Sequence, residues 1–139
     1  MVFAVPPGHP LAGEKAVTAE QLAAHPLVLR EAGSGLRHCL EAALARIGRS
    51  LADFRVALVI GSNEAAKEAA VQGVGIAVLS IFAVRKEVEA GRLVALEGTD
   101  LKCDRDMHVV TDGKRVLPPA ARAFLAFLRA HPLPAPPPA

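Results

Sequence analysis

Two short segments of this sequence carry residue types that bind small anions. In the first, the turn Gly33-Ser34-Gly35 opens a run of apolar residues at helical spacing, and Arg37 falls in the first helical turn. Free backbone N–H groups at a helix N-terminus, a hydroxyl and a guanidinium together suit a carboxylate or a phosphate. A capped turn with Arg37 in solvent is the structural alternative, and spacing alone does not separate the two.

The second segment, Gly61-Ser62-Asn63-Glu64, also places a hydroxyl and free N–H groups at a helix start. By itself it is an ordinary N-cap. Both segments follow predicted strands, however, and open α/β sheets bind ligands at the carboxyl ends of parallel strands. Their convergence indicates a shared ligand site as the alternative to two unrelated caps.

Catalytic patterns are missing from the sequence. It shows no Ser/His/Asp order, nucleophile elbow or metal-spaced histidine pair, and His9 and His25 each precede a proline at a predicted turn. Gly73-Val74-Gly75 lacks the Gly-x-Gly-x-x-Gly fingerprint and is predicted to be a tight turn. We therefore expect a protein that is not an enzyme and that uses neither a cofactor nor a metal.

The two cysteines, Cys39 and Cys103, have neither the count nor the spacing of a disulfide framework. We expect both to be buried small apolar residues. No apolar run approaches the roughly 20 residues of a membrane span, and the start lacks the basic and apolar stretches of a signal peptide. These features predict a cytoplasmic protein.

Composition favours one compact α/β domain. The chain has 139 residues, of which 52% are hydrophobic and 22% charged, and its five Phe with no Trp or Tyr leave the core to aliphatic side chains. The net charge of +2 comes from Lys and Arg scattered among Asp and Glu, without a basic stripe. Charge therefore gives no sign that this segment binds nucleic acid.

The elements that must position the two segments alternate along the chain. Thr18 and Gln21 form a capping box for a short helix at Ala19–Ala24, and a last helix beginning at Pro118-Pro119 presents Phe124 and Phe127. Between them, strands and helices alternate, which predicts a mostly parallel sheet with helices on both faces. The predicted strands are Val2–Val5, Leu27–Leu29, Phe54–Ile60, Gly75–Leu79 and Leu93–Leu96.

From Val2 to Leu128 the sequence resembles the effector-binding domain of LysR-type regulators. The resemblance is an ordered series of short segments, each weakly specific alone. In chain order they are Pro6-Pro7-Gly8-His9-Pro10-Leu11-Ala12, Pro26-Leu27-Val28, Arg30-Glu31-Ala32-Gly33-Ser34-Gly35-Leu36-Arg37, Gly61-Ser62-Asn63-Glu64-Ala65-Ala66-Lys67, Gly73-Val74-Gly75-Ile76-Ala77-Val78-Leu79-Ser80, Gly91-Arg92-Leu93-Val94 and Leu117-Pro118-Pro119-Ala120-Ala121-Arg122-Ala123-Phe124-Leu125.

This resemblance implies an α/β fold of the periplasmic-binding-protein-like class, type 2, in which two sub-domains enclose a small effector. The chain would hold one complete sub-domain and part of the other. Residues 26–107 would be the second sub-domain with a crossing strand, and residues 1–25 and 108–130 the partial first. Residues 131–139 would be a Pro/Ala-rich disordered tail.

By the same resemblance, Ser34, Gly35 and Arg37 would meet the effector from one loop. Ser62, Asn63 and Glu64 would meet it from the other. Leu36 stands where many members of the family have threonine, which removes one hydroxyl contact.

The resemblance also implies partners. A small, anionic metabolite would control DNA binding by an intact regulator, through a helix-turn-helix that this chain lacks. We further expect self-association, because the strand Val2–Val5 would lose its neighbours and the face of Phe124 and Phe127 is apolar. A solute-binding protein and a truncated fragment without its own ligand function remain the alternatives.

Overall fold

A computed structural model of the chain describes residues 1–103 and 108–131. These residues fall into two compact units. We call residues 1–103 the first unit and residues 108–131 the second unit. The predicted disordered tail, apart from His131, lies outside the described residues.

Alternating strands and helices build the first unit, as the sequence predicts. Its strands are β1 (Val2–Val5), β2 (Ala16–Val17), β3 (Leu27–Arg30), β4 (Val56–Ile60), β5 (Ile76–Leu79) and β6 (Val94–Gly98). Its helices are α1 (Ala19–Ala23), α2 (Gly35–Arg46), α3 (Asn63–Val71) and α4 (Ile81–Glu89), and a single 3-10 turn spans Leu51–Asp53. Within the described residues, α5 (Pro119–Ala130) is the one helix of the second unit.

The six strands of the first unit form one sheet in the order β2-β6-β1-β5-β3-β4. Strand β3 runs parallel to β4 and β5, and β2 runs parallel to β6. Strand β1 is antiparallel to both of its neighbours, β5 and β6. Five strands therefore share one direction and β1 alone is reversed, which confirms the mostly parallel sheet.

Helices cover both faces of this sheet. One face buries Leu22 of α1 with Leu40 and Leu44 of α2. The other face buries Ala66 and Ala70 of α3 together with residues of α4. The side chains of the strands alternate between these two clusters, as expected for a sheet packed on both sides.

The expectation of an unpaired first strand is wrong. All four residues of β1 are buried, and hydrogen-bonded neighbours flank it on both sides. The division of residues 1–107 between two sub-domains stays a prediction; in the structure β1 and β2 pair with the strands of residues 26–103 in one sheet. Residues 108–131 do form a unit of their own.

The prediction that the two cysteines are unpaired core residues is also wrong. The structure joins Cys39 of α2 to Cys103 in a disulfide, with Cα atoms 6.0 Å apart. Cys39 is buried, as predicted, but Cys103 is only half-buried. The pair forms because buried Leu101 brings the segment after β6 against α2, a contact that a sequence separation of 64 residues hides.

Local signals in the sequence agree closely with the structure. The predicted capping box of α1 is present, with Thr18 and Gln21 bonded reciprocally. The predicted tight turn before β5 has a packing reason, since a Cβ on Gly75 would lie 2.6 Å from the carbonyl oxygen of Pro26. Among the described residues, no helix is long and apolar enough to cross a membrane.

The second unit exposes an apolar helix face. Phe124 and Phe127 of α5 are 60% and 55% exposed, and no residue of this helix is buried. Phe127 stacks on His131, with ring centroids 4.3 Å apart. This helix therefore keeps the apolar surface that the sequence predicts for it.

Candidate functional site

The carboxyl ends of three neighbouring strands form the candidate site. Strands β5, β3 and β4 lie side by side and run in the same direction, so their carboxyl ends share one edge of the sheet. The chain leaves β3 for α2 on one face, and leaves β4 for α3 on the other. Such a divergence of neighbouring connections opens the crevice in which α/β sheets bind ligands.

The first loop, residues 31–34, leads from β3 into α2. Its backbone turns tightly, with the Ser34 N–H donating to the carbonyl of Glu31 at 3.1 Å. Gly33 has a φ of +90°, a conformation that other residues rarely adopt. Ser34 takes the N-cap position of α2, but its hydroxyl makes no capping hydrogen bond. The hydroxyl and the first N–H groups of α2 therefore remain available to a ligand.

The second loop, residues 61–62, leads from β4 into α3. Here the Ser62 hydroxyl does cap the helix, accepting from the N–H of Ala65 at 3.4 Å. Asn63 and Glu64 follow in the first turn and are exposed. The carboxylate of Glu64 pairs with Lys67 at 2.9 Å. The polar groups of this loop are thus already engaged with the protein.

Arg30, at the end of β3, joins the two loops. Its guanidinium donates to the side-chain oxygen of Asn63 and, at 3.1 Å, to the carbonyl of Gly61. It also donates to both carboxylate oxygens of Glu31, at 2.9 and 3.0 Å. These bonds from Arg30 lower the pKa of Glu31, which keeps that carboxylate ionised. Arg30 therefore holds the second loop beside the first.

The structure brings the six predicted site residues to this edge, and it engages Arg37 in an i,i+4 ion pair that the sequence prediction did not include. Arg37 donates to Glu41, one turn along α2, at 2.9 Å and to the carbonyl of Arg30 at 3.5 Å. Its side chain is 24% exposed. An anion that binds at Ser34 and Gly35 would have to compete with Glu41 for this guanidinium.

Helix α3 is anchored below the second loop by a buried ion pair. Lys67 lies 3.2 Å from Glu87 of α4, and Arg92 lies 3.1 Å from the same carboxylate oxygen. The hydrogen bond with Glu64 leads the causes that raise the pKa of Lys67. Burial alone would raise the pKa of Glu87, but its bonds with the two cations lower it. The pair therefore stays charged and fixes α3 to α4.

Sequence reasoning missed two features of the edge. Arg30 follows directly on an apolar strand, and that position at a strand's carboxyl end is the signal that would have marked it. Ser80 follows β5 just as Ser34 follows β3, and it too sits at an N-cap position without a capping hydrogen bond. Three strand–serine–helix connections therefore meet at one edge.

Other sites in the described part of the chain are less developed. No group of three or more His, Cys, Asp or Glu residues there is placed to hold a metal ion. A shallow cavity of about 460 Å³ lies at the opposite edge of the sheet, lined among others by Lys15, Val88 and Leu93. It shares no residue with the two loops.

The comparisons with known proteins agree on one family. The family model described as the LysR substrate-binding domain matches residues 1–132. The transcriptional regulator CbbR of Rhizobium meliloti is 38% identical over 130 residues, which cover 94% of this chain and 41% of that protein. A RuBisCO operon transcriptional regulator of Allochromatium vinosum is 36% identical, over 92% of this chain and 41% of that protein. The chain thus spans about two-fifths of these relatives.

A solved structure is similar as well. The regulatory domain of Synechocystis CcmR, in complex with 2-PG, superposes with a TM-score of 0.73 at 28% identity. The match covers 93% of this chain and 61% of that one. The fold of this chain is therefore that of LysR regulatory domains, which is the periplasmic-binding-protein-like fold of type 2.

Proposed function

This chain belongs to the LysR substrate-binding domain family, and we propose that it senses a small anionic metabolite at the edge where its first and second loops meet. The observation that carries the proposal is the pair of loops on neighbouring parallel strands, joined by Arg30. Ser34, Gly35 and Arg37 would bind the anion from the first loop. Ser62, Asn63 and Glu64 would shape the opposite wall.

The chemistry of the first loop supports an anionic ligand. The N-terminus of the 12-residue helix α2 carries a partial positive charge and free N–H groups. The Ser34 hydroxyl is not used as a cap, so it can donate to an anion without loss of a native bond. Arg37 adds a full charge nearby. Glu31, Glu41 and Glu64 also lie at this edge, paired with Arg30, Arg37 and Lys67, so the free N–H groups and the hydroxyl of the first loop carry the attraction.

The comparisons support the choice of ligand class. The CcmR regulatory domain, 28% identical, was solved with 2-PG. We therefore take 2-PG as the first candidate effector here. Two matched relatives are named as CbbR and as a RuBisCO operon regulator, so we propose carbon-fixation genes as the regulated targets.

In the intact regulator, the effector would act by a shift in population. A ligand that binds one conformation better than another raises the population of that conformation. DNA would be bound by a helix-turn-helix outside this chain, in a regulator that works inside the cell. The matched relatives are regulators and not enzymes, so binding, without bond making or breaking, is the proposed activity.

Calorimetric titration of the chain with 2-PG, phosphate, sulfate and shikimate tests the proposal. We expect 2-PG to bind, Ser34→Ala to weaken it about tenfold, and Arg37→Gln to weaken it further. Glu41→Gln is the matched control, since it frees the Arg37 guanidinium and should leave affinity unchanged or raise it. Binding of 2-PG that is equal in the wild type and both site variants would place the ligand elsewhere.

We also propose that the chain self-associates through α5. The proposal rests on the exposed side chains of Phe124 and Phe127. Strand β1, the other surface expected to self-associate, is buried within the sheet. Sedimentation equilibrium should show a dimer or larger species that dissociates in the double variant Phe124→Ser, Phe127→Ser. A wild-type monomer at high concentration would contradict the proposal.

A further inference from the structure

The two cysteines of the chain meet at the place where the chain leaves the first unit. Cys39 lies near the start of α2, five residues after Ser34, and Cys103 is the last described residue of the first unit. The described part of the second unit begins only five residues later, at His108. The bond therefore ties the exit of the first unit to the helix that begins at the first loop.

Contacts that do not involve sulfur also hold this exit segment to the first unit. Leu101 is 1% exposed and packs into the core with α2. The guanidinium of Arg46, at the end of α2, donates to the carbonyl of Lys102. With the bond reduced, these contacts would keep the two thiols close together. A high effective concentration of one thiol at the other favours re-formation of the bond.

Access to the pair is asymmetric. Cys39 is buried, whereas Cys103 is half-buried. Disulfides inside cells are uncommon, and where they occur they are usually redox-sensing or catalytic. A cysteine pair with one half-buried member, at the end of the first unit, fits a sensing role.

We propose that Cys39 and Cys103 form a reversible thiol–disulfide site, oxidised by a low-molecular-weight disulfide, that controls how firmly the exit segment is held to α2. The proposal concerns redox chemistry and stands whether or not the chain binds 2-PG.

The reaction is two thiol–disulfide exchanges. The thiolate of Cys103 attacks one sulfur of the oxidant RSSR, whose S–S bond breaks to release the first RS⁻ and leave a mixed disulfide. The thiolate of Cys39 then attacks the sulfur of Cys103 and releases the second RS⁻. The two cysteines lose two protons and two electrons in all, and the oxidant becomes two RSH.

A glutathione titration of the 139-residue chain tests reversibility. Samples are equilibrated at a series of ratios of reduced to oxidised glutathione, alkylated, and weighed by intact mass spectrometry. We expect a single transition between no alkyl group and two, identical from either direction. Cys39→Ala and Cys103→Ser should instead give a one-thiol species that only exchanges a mixed disulfide with glutathione.

Limited trypsin digestion tests the tether. Cleavage after Lys102 should be about tenfold slower in the oxidised protein, because the bond holds the adjacent residue against α2. Cleavage after the exposed Lys114, in the second unit, is the internal control and should not change. In Cys103→Ser, cleavage after Lys102 should be insensitive to glutathione. Oxidation should also raise the wild-type Tm, by on the order of 10 °C.

Three outcomes would overturn the proposal. Cysteines that stay alkylatable in excess oxidised glutathione would mean that the pair does not form. A bond that resists excess reduced glutathione in the folded protein would make it a permanent crosslink. Equal rates of cleavage after Lys102 in the two redox states would show that the disulfide does not hold the exit segment to α2.

Discussion

The first and second loops share one sequence pattern and differ in how their polar groups are used. Each follows a strand and places a serine at the N-cap of a helix. The Ser62 hydroxyl caps α3, whereas the Ser34 hydroxyl does not cap α2. The second loop is further fixed by the buried pair beneath α3, through Lys67. When a capping side chain accepts from the first backbone N–H groups of a helix, it makes the helix start more rigid. When no side chain does so, those N–H groups can bind a ligand.

The largest test of this comparison removes the anchor of the second loop. Lys67→Met leaves Glu87 buried with Arg92 as its remaining charged partner and with one carboxylate oxygen that already lacks a hydrogen bond. Breaking a buried pair in this way costs about 3 kcal/mol of unfolding free energy, measured by urea denaturation. Arg37→Met at the first loop breaks only a partly exposed pair and should cost about 0.5 kcal/mol.

A double variant controls for simple loss of packing. Lys67→Met combined with Glu87→Leu removes both charges and should recover most of the lost stability. If Lys67→Met and Arg37→Met lowered the unfolding free energy equally, Lys67 would not anchor the second loop.

The second test separates the two loops from each other. Arg30→Met removes the bonds that reach Asn63 and Gly61, so the wall formed by the second loop is no longer held in place. We expect the affinity for 2-PG to fall about tenfold in calorimetry, because a misplaced polar wall weakens binding. Arg85→Met, which changes an exposed arginine of α4, is the matched control and should bind as the wild type does. Equal affinities in both variants would mean that the second loop takes no part.

The third test compares the two serines directly. Ser62→Ala removes a cap and should lower the unfolding free energy by about 1 kcal/mol. Ser34→Ala removes no capping bond, so its stability should stay within about 0.5 kcal/mol of the wild type while anion affinity falls. Thermal denaturation with and without ligand measures both effects. Equal destabilisation by the two changes would show that the Ser34 hydroxyl acts as a cap in solution.

The smallest expected effect is a pH dependence of stability at His9, at the opposite edge of the sheet. It should not alter the difference between the first and second loops. Burial, aided by the charge of nearby His25, lowers the pKa of His9 below 6.5. The unfolded chain therefore takes up a proton first, so stability falls as pH drops through 6.5 towards the folded pKa. His9→Asn keeps an acceptor for the Leu11 N–H and should flatten this slope in denaturation at pH 7.5 and 5.5. A steeper slope in the variant would contradict the assignment.

Much of the site could be predicted because its signals are local. A strand end, a glycine turn and a serine before a helix all lie within a few residues, and together they placed both loops correctly. Whether each serine hydroxyl caps its helix or remains available to a ligand could not be predicted from such local signals. Ser34 and Ser62 both have the extended backbone of an N-cap, yet only Ser62 caps its helix, and the residue type does not tell the two apart.

Contacts between distant residues were beyond local reasoning. Arg30 and Asn63 are 33 residues apart in sequence, and they meet because β3 and β4 are parallel neighbours. The same limit explains the wrong expectations for β1 and for the cysteines. An apolar strand at the start of the chain looks unpaired until its partners β5 and β6, over 70 residues later, are known.

The sequence by itself determined the elements other than the short strand β2, their alternation and the family resemblance, because apolar periodicity and capping residues act over one or two turns of chain. Only the tertiary structure decided that β1 lies reversed in the middle of the sheet and that Arg30 bridges two loops. It alone also paired Cys39 with Cys103. These features depend on which strands lie side by side, and that choice is made by burial of the whole core.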